Sequence, residues 1–135
     1  MTAIRIRGLD HVVLRVTDLA ASIGFYCDVL GCSEERRLDA LGLVQLRAGA
    51  CLIDLVDVAS PLGELGGAAP ATGARNMDHF AVALETFDEA AIRAELEACG
   101  VEPGDVSERY GAEGNGPSMY IRDPDGNVVE LKGPA

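Results

Sequence analysis

One eight-residue pattern is written twice in this chain, and the duplication limits what the chain can fold into. The first copy is Leu9-Asp10-His11-Val12-Val13-Leu14-Arg15-Val16, and the second is Met77-Asp78-His79-Phe80-Ala81-Val82-Ala83-Leu84. Each reads apolar-Asp-His and then an apolar run. A helical pattern follows each, ending at Gly31 in one case and at Gly100 in the other. The only two histidines of the protein, His11 and His79, therefore hold the same place in two related halves.

The first copy alternates as a half-buried strand does. Val12, Leu14 and Val16 share one face; His11, Val13 and Arg15 share the other. Thr17 or Asp18 is placed to cap a helix. Leu19, Ile23, Tyr26 and Leu30 form its apolar stripe, and Gly31 suits the left-handed stop. Strands are expected over 34–39, 42–47 and 50–58, with a tight turn at Ala48-Gly49.

Residues 59–75 hold Pro61, Gly63, Gly66, Gly67, Pro70 and Gly73 with no period, and read as an exposed, flexible linker. The second half repeats the order. A strand over 77–84 sets Phe80, Val82 and Leu84 opposite His79, Ala81 and Ala83. Thr86-Phe87-Asp88-Glu89 fits a capping box, with Ile92, Leu96 and Cys99 as the helix stripe. Strands are expected over 105–109, 117–122 and 127–132. Residues 109–116 read as a glycine-rich loop long enough to form a lid, and Asp123-Pro124-Asp125-Gly126-Asn127 as a hairpin turn. The fold class is therefore α+β, with two tandem βαβββ modules, 9–58 and 76–135, in one domain of 135 residues. Each module would bury one sheet face under its helix, and the histidine faces would line a shared groove.

Composition narrows the function. Hydrophobic residues make up 48%, enough for a real core, but no apolar run approaches the roughly eighteen residues of a membrane span. Met1-Thr2-Ala3-Ile4-Arg5 lacks the apolar segment of a secretion signal, so a cytoplasmic protein is expected. A net charge of −11 argues against nucleic acid, whose phosphates call for Lys and Arg. The acidity serves solubility and permits a cationic ligand. Cys27, Cys32, Cys51 and Cys99 show no zinc-like spacing and read as buried, reduced thiols among apolar neighbours.

A divalent metal held on strands needs ligands that face one cavity, and the histidines qualify by parity. The last strand of each half adds a carboxylate in similar sequence. Leu46-Arg47 leads to Ile53-Asp54-Leu55, and Ile121-Arg122 leads to Val129-Glu130-Leu131, with spacings that differ by one residue. His11, Asp54, His79 and Glu130 would give two nitrogens and two oxygens. That set suits one octahedral divalent ion (Ni, Zn, Co, Mn or Fe), with positions left for water or substrate. Asp57, on the opposite face, is a fallback for Asp54. Glu130, and after it Asp54, is the candidate catalytic base beside such a Lewis acid. Ser118, Tyr120 and Arg122 share one parity and are substrate candidates; Arg47 and Arg15 could bind a substrate carboxylate.

These residues resemble the vicinal oxygen chelate superfamily, the glyoxalase / bleomycin-resistance / dioxygenase group. The resemblance runs from Leu9 to Gly133. It rests on Leu-Asp-His-Val-Val-Leu at 9–14, on Phe25-Tyr26 with Val29-Leu30-Gly31, on Asp78-His79, and on Tyr-Ile-Arg-Asp-Pro-Asp-Gly-Asn-Val-Val-Glu-Leu at 120–131. It implies paired βαβββ modules, each forming half of an open barrel around a metal. The ligands it implies fall on His11, His79 and Glu130, with Asp54 where Glu or Gln is common. Asp is one methylene shorter. Without Asp54 the set is two His and one carboxylate, nearer the fosfomycin thiol-transferase and ring-cleaving dioxygenase pattern. The resemblance also implies a homodimer.

Four functions compete. The first is a metal-dependent lyase or isomerase like glyoxalase I, acting on the thiohemiacetal of an α-ketoaldehyde. The second is a thiol transferase opening an epoxide antibiotic, and the third a small non-heme iron dioxygenase. The fourth, from a different class, is a metal-free protein sequestering a cationic, bleomycin-like drug. The intact histidines and the lack of Trp as a stacking platform weigh against the fourth.

Overall fold

A computed structural model describes residues 5–69 and 77–135. The chain divides into two compact units, Met1–Pro70 and Ala71–Ala135. Each is a four-stranded mixed sheet with a helix after its first strand, the βαβββ module in α+β form.

In the first unit, β1 (His11–Val16), β2 (Ser33–Leu38), β3 (Leu43–Ala48) and β4 (Cys51–Asp57) lie in the order β1-β4-β3-β2. The parallel pairing of β1 with β4 sets Val12 beside Ile53 and Leu14 beside Leu55; the antiparallel β3 sets Leu46 beside Ile53 and Val44 beside Leu55. These residues form one apolar face. Leu14, Val44, Leu46, Ile53 and Leu55 are buried on it, each worth about 1.5–3 kcal/mol of transfer free energy.

Helix α1 (Leu19–Gly24) is capped by Asp18, whose carboxylate accepts from Ala21 N. The helix then widens into a π-turn over Phe25–Val29, which the regular apolar stripe does not foretell. The wider turn brings two adjacent rings inward. Phe25 and Tyr26 are both buried, packed edge to face at 5.0 Å. Gly31 takes the left-handed conformation at φ 78°, as expected.

The segment after β4 departs from a plain linker. Ser60 caps a short helical turn, α2 (Pro61–Glu64), with Pro in the first turn, where its missing N–H costs nothing. Arg15 of β1 ties down the end of this turn and the chain beyond it: its guanidinium donates to Gly63 O, Gly67 O and Ala68 O. The rest of the expected linker, 70–75, lies outside the described residues.

The second unit repeats the plan. Strands β5 (Phe80–Ala83), β6 (Val106–Gly111), β7 (Gly114–Arg122) and β8 (Val128–Lys132) lie in the order β5-β8-β7-β6, with β5 parallel to β8. Met119, Ile121, Val129 and Leu131 are the buried face. Helix α3 (Glu89–Ala98) turns Leu96 inward and is followed by left-handed Gly100.

Three expectations fail here. The cysteines expected to be buried are not: Cys99 is exposed, and Cys27, Cys32 and Cys51 are half-buried. The cap of α3 is Asp88, which accepts from Ala91 N; Thr86 lies too far upstream to close a capping box. The expected lid at 109–116 is a hairpin. Strand pairing continues to Gly111 opposite Gly114, and Ala112-Glu113 alone make the turn. Gly114, at φ 104°, supplies the backbone conformation that so tight a turn requires. The glycines that suggested a mobile loop thus let two strands pair to their ends. The turn at 123–127 forms as expected. Asp123 accepts from the backbone N of Asp125 and Asn127 and from Asn127 Nδ2, with Gly126 left-handed.

Replacing Asp88 with Ala should cost about 1 kcal/mol of stability, whereas Thr86→Ala should stay within about 0.5 kcal/mol. Urea unfolding of the two variants measures the difference.

Candidate functional site

The apolar faces fix what the opposite faces present. In the first unit Val13 pairs with Asp54, and Asp54 pairs across β3 with Gln45, so these side chains share a side with His11. Asp54 is only 4% exposed. Gln45 donates from Nε2 to Asp54 Oδ2 at 3.0 Å. The other oxygen, Oδ1, is buried with no hydrogen-bond partner among the described residues. A buried carboxylate oxygen left without a donor is costly, and a cation is a group that would satisfy it.

His11 Nδ1 lies 2.6 Å from Asp10 Oδ1. An ionised carboxylate only accepts, so Nδ1 donates and the Nε2 lone pair of a neutral ring is left to face outward. The hydrogen bond that Nδ1 donates to Asp10 raises the His11 pKa above its ordinary value; burial opposes the rise, and the charge of Asp54 adds to it.

The second unit repeats the arrangement. His79 immediately precedes β5, and its Nδ1 lies 2.6 Å from Asp78 Oδ2. Ala81 pairs with Glu130, and Glu130 pairs with Tyr120, so His79, Glu130 and Tyr120 share one side. Glu130 is 6% exposed, and its Oε1 stands 3.2 Å from His79 Nε2. With Nδ1 donating to Asp78, a neutral ring has only a lone pair at Nε2. Two lone-pair atoms at that separation need a proton or a cation between them. Two cis ligands about 2.1 Å from an octahedral ion stand about 3 Å apart, so the pair fits a divalent metal. Carboxylates on the far ring nitrogens are the usual way of orienting metal-binding histidines. Among the described residues no group of three or more His, Cys, Asp or Glu side chains forms a metal cluster; each unit carries one histidine and one buried carboxylate on the same side of its own sheet.

The remaining candidates fall differently. Ser118 is fully buried and Tyr120 half-buried on the Glu130 face, with the Tyr120 ring edge-on to His79 at 5.1 Å. Arg122 is exposed and donates to Gly126 O in the adjoining turn. Arg47 is ion-paired with Glu35, the residue left over at the β2 bulge. Arg15 is committed to the carbonyl of Gly63 in α2 and to those of Gly67 and Ala68 beyond it. Asp57, the fallback for Asp54, accepts from Ala59 N through its side chain and from Ser60 through its carbonyl, so it organises a turn.

Sequence reasoning missed four residues. Asp10 and Asp78 were visible in both copies of the repeat, and the signal was their constant place before a histidine. Gln45 needed the β3–β4 register. Arg109, at the junction of the expected strand 105–109 and the expected loop, lies on β6 as a strand residue, donates to Ser118 O and Oγ at 2.9 Å, and covers the Tyr120 ring at 4.3 Å.

The sequence profile of the Glyoxalase/Bleomycin resistance protein/Dioxygenase superfamily matches residues 8–131. The chain belongs to this superfamily. It is 31% identical over 130 residues to Virulence protein STM3117 of Salmonella typhimurium, covering 91% of this chain and 81% of that protein. The crystal structure of that protein superposes with a TM-score of 0.74 at 28% identity, over 98% of this chain and 100% of the other. Biphenyl-2,3-diol 1,2-dioxygenase 2 of Rhodococcus globerulus is 32% identical over 129 residues; the match takes in 90% of this chain but only 60% of the dioxygenase. Lactoylglutathione lyase from Agrobacterium tumefaciens shares the fold at a TM-score of 0.65 and 25% identity, over 95% of this chain and 94% of that one. Among the described residues no helix is long and apolar enough to cross a membrane.

In the metal-free protein the His11 ring should titrate above 6.5, and Asp10→Asn should bring it back toward that value. Histidines must lose their protons to bind metal, so the wild-type contact moves metal uptake to higher pH. Histidine NMR titration of the two proteins reads the shift; identical curves would show that the Asp10 contact does not hold the ring in solution.

Proposed function

We propose that the protein is a metal-dependent lyase or isomerase resembling glyoxalase I, acting on a small α-ketoaldehyde–thiol adduct. The observation that carries the reading is the buried Glu130 carboxylate set against His79 Nε2, with Asp78 orienting the ring from behind. The His–carboxylate pairs of the two modules, His11 with Asp54 and His79 with Glu130, are the proposed ligands of one divalent ion. The orphaned Asp54 Oδ1 supports a cation on the first pair. Superfamily membership supports one ion for both.

A divalent ion at these ligands supplies Lewis acidity toward a substrate oxygen. Glu130 takes the proton from the carbon that bears sulfur and returns it to the neighbouring carbon, an internal transfer that needs no external oxidant. Its burial keeps water from competing for that proton, and Tyr120 orients the ring of His79. Asp54, held by Gln45, is the second candidate for moving a proton. The superfamily resemblance supports a homodimer.

A second reading has its own support, the 32% identity to a ring-cleaving dioxygenase. Two His and one carboxylate suffice for iron of that kind, and then Asp54 would not bind the metal.

The test is turnover of methylglyoxal with glutathione and other thiols, by protein loaded in turn with Ni, Zn, Co, Mn and Fe. Activity that falls by about 10²–10⁴ in Glu130→Gln is expected for a lost general base. Oxygen consumption with catechols, with Fe alone and no thiol reaction, would replace the lyase with the dioxygenase. Failure to take up any of these ions would sink both and leave a ligand-sequestering protein.

A further inference from the structure

Lys132 poses an unsolved electrostatic problem. It lies on β8, two residues beyond Glu130 and on the same side of the sheet, and it is only 8% exposed. Its Nζ donates to Gly133 O at 2.8 Å. Among the described residues it has no carboxylate at ion-pair distance. A lysine is seldom buried without an acidic partner, because a neutral carbonyl compensates poorly for lost water. In a chain with twice as many acidic as basic residues, 22 against 11, the missing partner is all the more notable.

The surroundings of Lys132 are built to receive it. Its stem crosses two glycines of the β6–β7 hairpin: a Cβ on Gly111 would lie 3.2 Å from Lys132 Cε, and one on Gly116 would lie 2.8 Å from Nζ. Gly116 is also the cross-strand partner of Arg109, and Ser118 is the partner of Lys132. Two cationic side chains therefore approach one stretch of β7 from its two neighbouring strands. Both lie on the side of the sheet that carries Glu130 and His79. Arg109 is fixed there by Ser118 and by the Tyr120 ring, with one nitrogen, Nη1, making both bonds to Ser118.

We propose that Lys132, Arg109 and Ser118 form a binding subsite for an anionic group, a carboxylate or phosphate, on the small-molecule substrate. The anion supplies the partner that Lys132 lacks, and the Arg109 guanidinium, stacked on Tyr120, offers a planar set of donors for its oxygens. Because the subsite and Glu130 share one sheet face, the anion would be anchored a few residues along the strand from the reacting carbon. This rests on Glu130 as the proton-moving group, yet it fails separately, since the subsite contains no metal ligand.

The test uses the full-length chain freed of metal, at low ionic strength, titrated with inorganic phosphate and in parallel with acetate, and followed by backbone NMR shifts. Saturable binding of at least one probe is expected, with shifts centred on β6, β7 and β8. Each of Lys132→Met and Arg109→Gln should weaken it about tenfold or more, the loss expected for a charge-assisted hydrogen bond. Arg7→Gln, in the exposed N-terminal segment, should leave it unchanged. Tighter binding of phosphate or of acetate identifies the anionic group. Metal uptake by the same variants should match wild type. No binding of either probe, or binding that neither variant weakens, would overturn the subsite. Should Lys132→Met fail to fold, Arg109→Gln still decides.

Discussion

The parallel pairing of the first and last strand in each module is the constraint on which the rest depends. It sets Val13 beside Asp54 in one sheet and Ala81 beside Glu130 in the other. A slip of one residue would send Asp54 or Glu130 into the apolar layer under the helix and bring Leu55 or Leu131 to the open face. The apolar rows of Val12, Leu14 and Val16, and of Phe80 and Val82, oppose that slip. The same burial that holds the sheet together therefore holds the functional side chains on the correct side.

That placement has an electrostatic consequence. Asp54 and Glu130 are buried carboxylates in a strongly acidic chain, and the protein gives them few donors. Asp54 has one from Gln45, and Glu130 faces a histidine whose other nitrogen is already held by Asp78. Lys132 and Arg109 sit close along the sheet but are engaged with carbonyls, a hydroxyl and a ring. A fold stabilised by its own electrostatics would pair these charges with one another. Their separation is consistent with ligands supplying the missing partners: a cation for the carboxylates and an anion for the lysine and arginine.

How much of this was legible in the sequence depended on the range of the interaction. Strand parity repeats every two residues, so the sides taken by His11, Asp54, His79 and Glu130 could be read directly. The turn at Asp123–Asn127 is equally local. The α3 cap was misread because Thr86 and Asp88 both suit an N-cap, and only where the helix begins decides between them. The supposed lid failed because Gly111, Gly114 and Gly116 look alike in a loop and in a tight hairpin, and pairing across β6 and β7 is not a local property. The π-turn at Phe25–Val29, the Gln45–Asp54 bond and the position of Arg109 all depend on neighbours distant in sequence. Lys132 could be placed on its strand, but its burial without an acidic partner became visible only with the glycines of the hairpin packed against it.

Under the proposed function His11, Asp54, His79 and Glu130 would hold a single ion, and metal stoichiometry is the sharpest check. Full-length protein and the single variants His11→Ala and His79→Ala would each be titrated with Mn²⁺, with free ion followed by electron paramagnetic resonance. About one ion per chain is expected in the wild type, with loss of tight binding in either variant alone, because each pair would supply half of the ligands. Two ions per chain, or a variant that keeps wild-type affinity at the pair it retains, would contradict it.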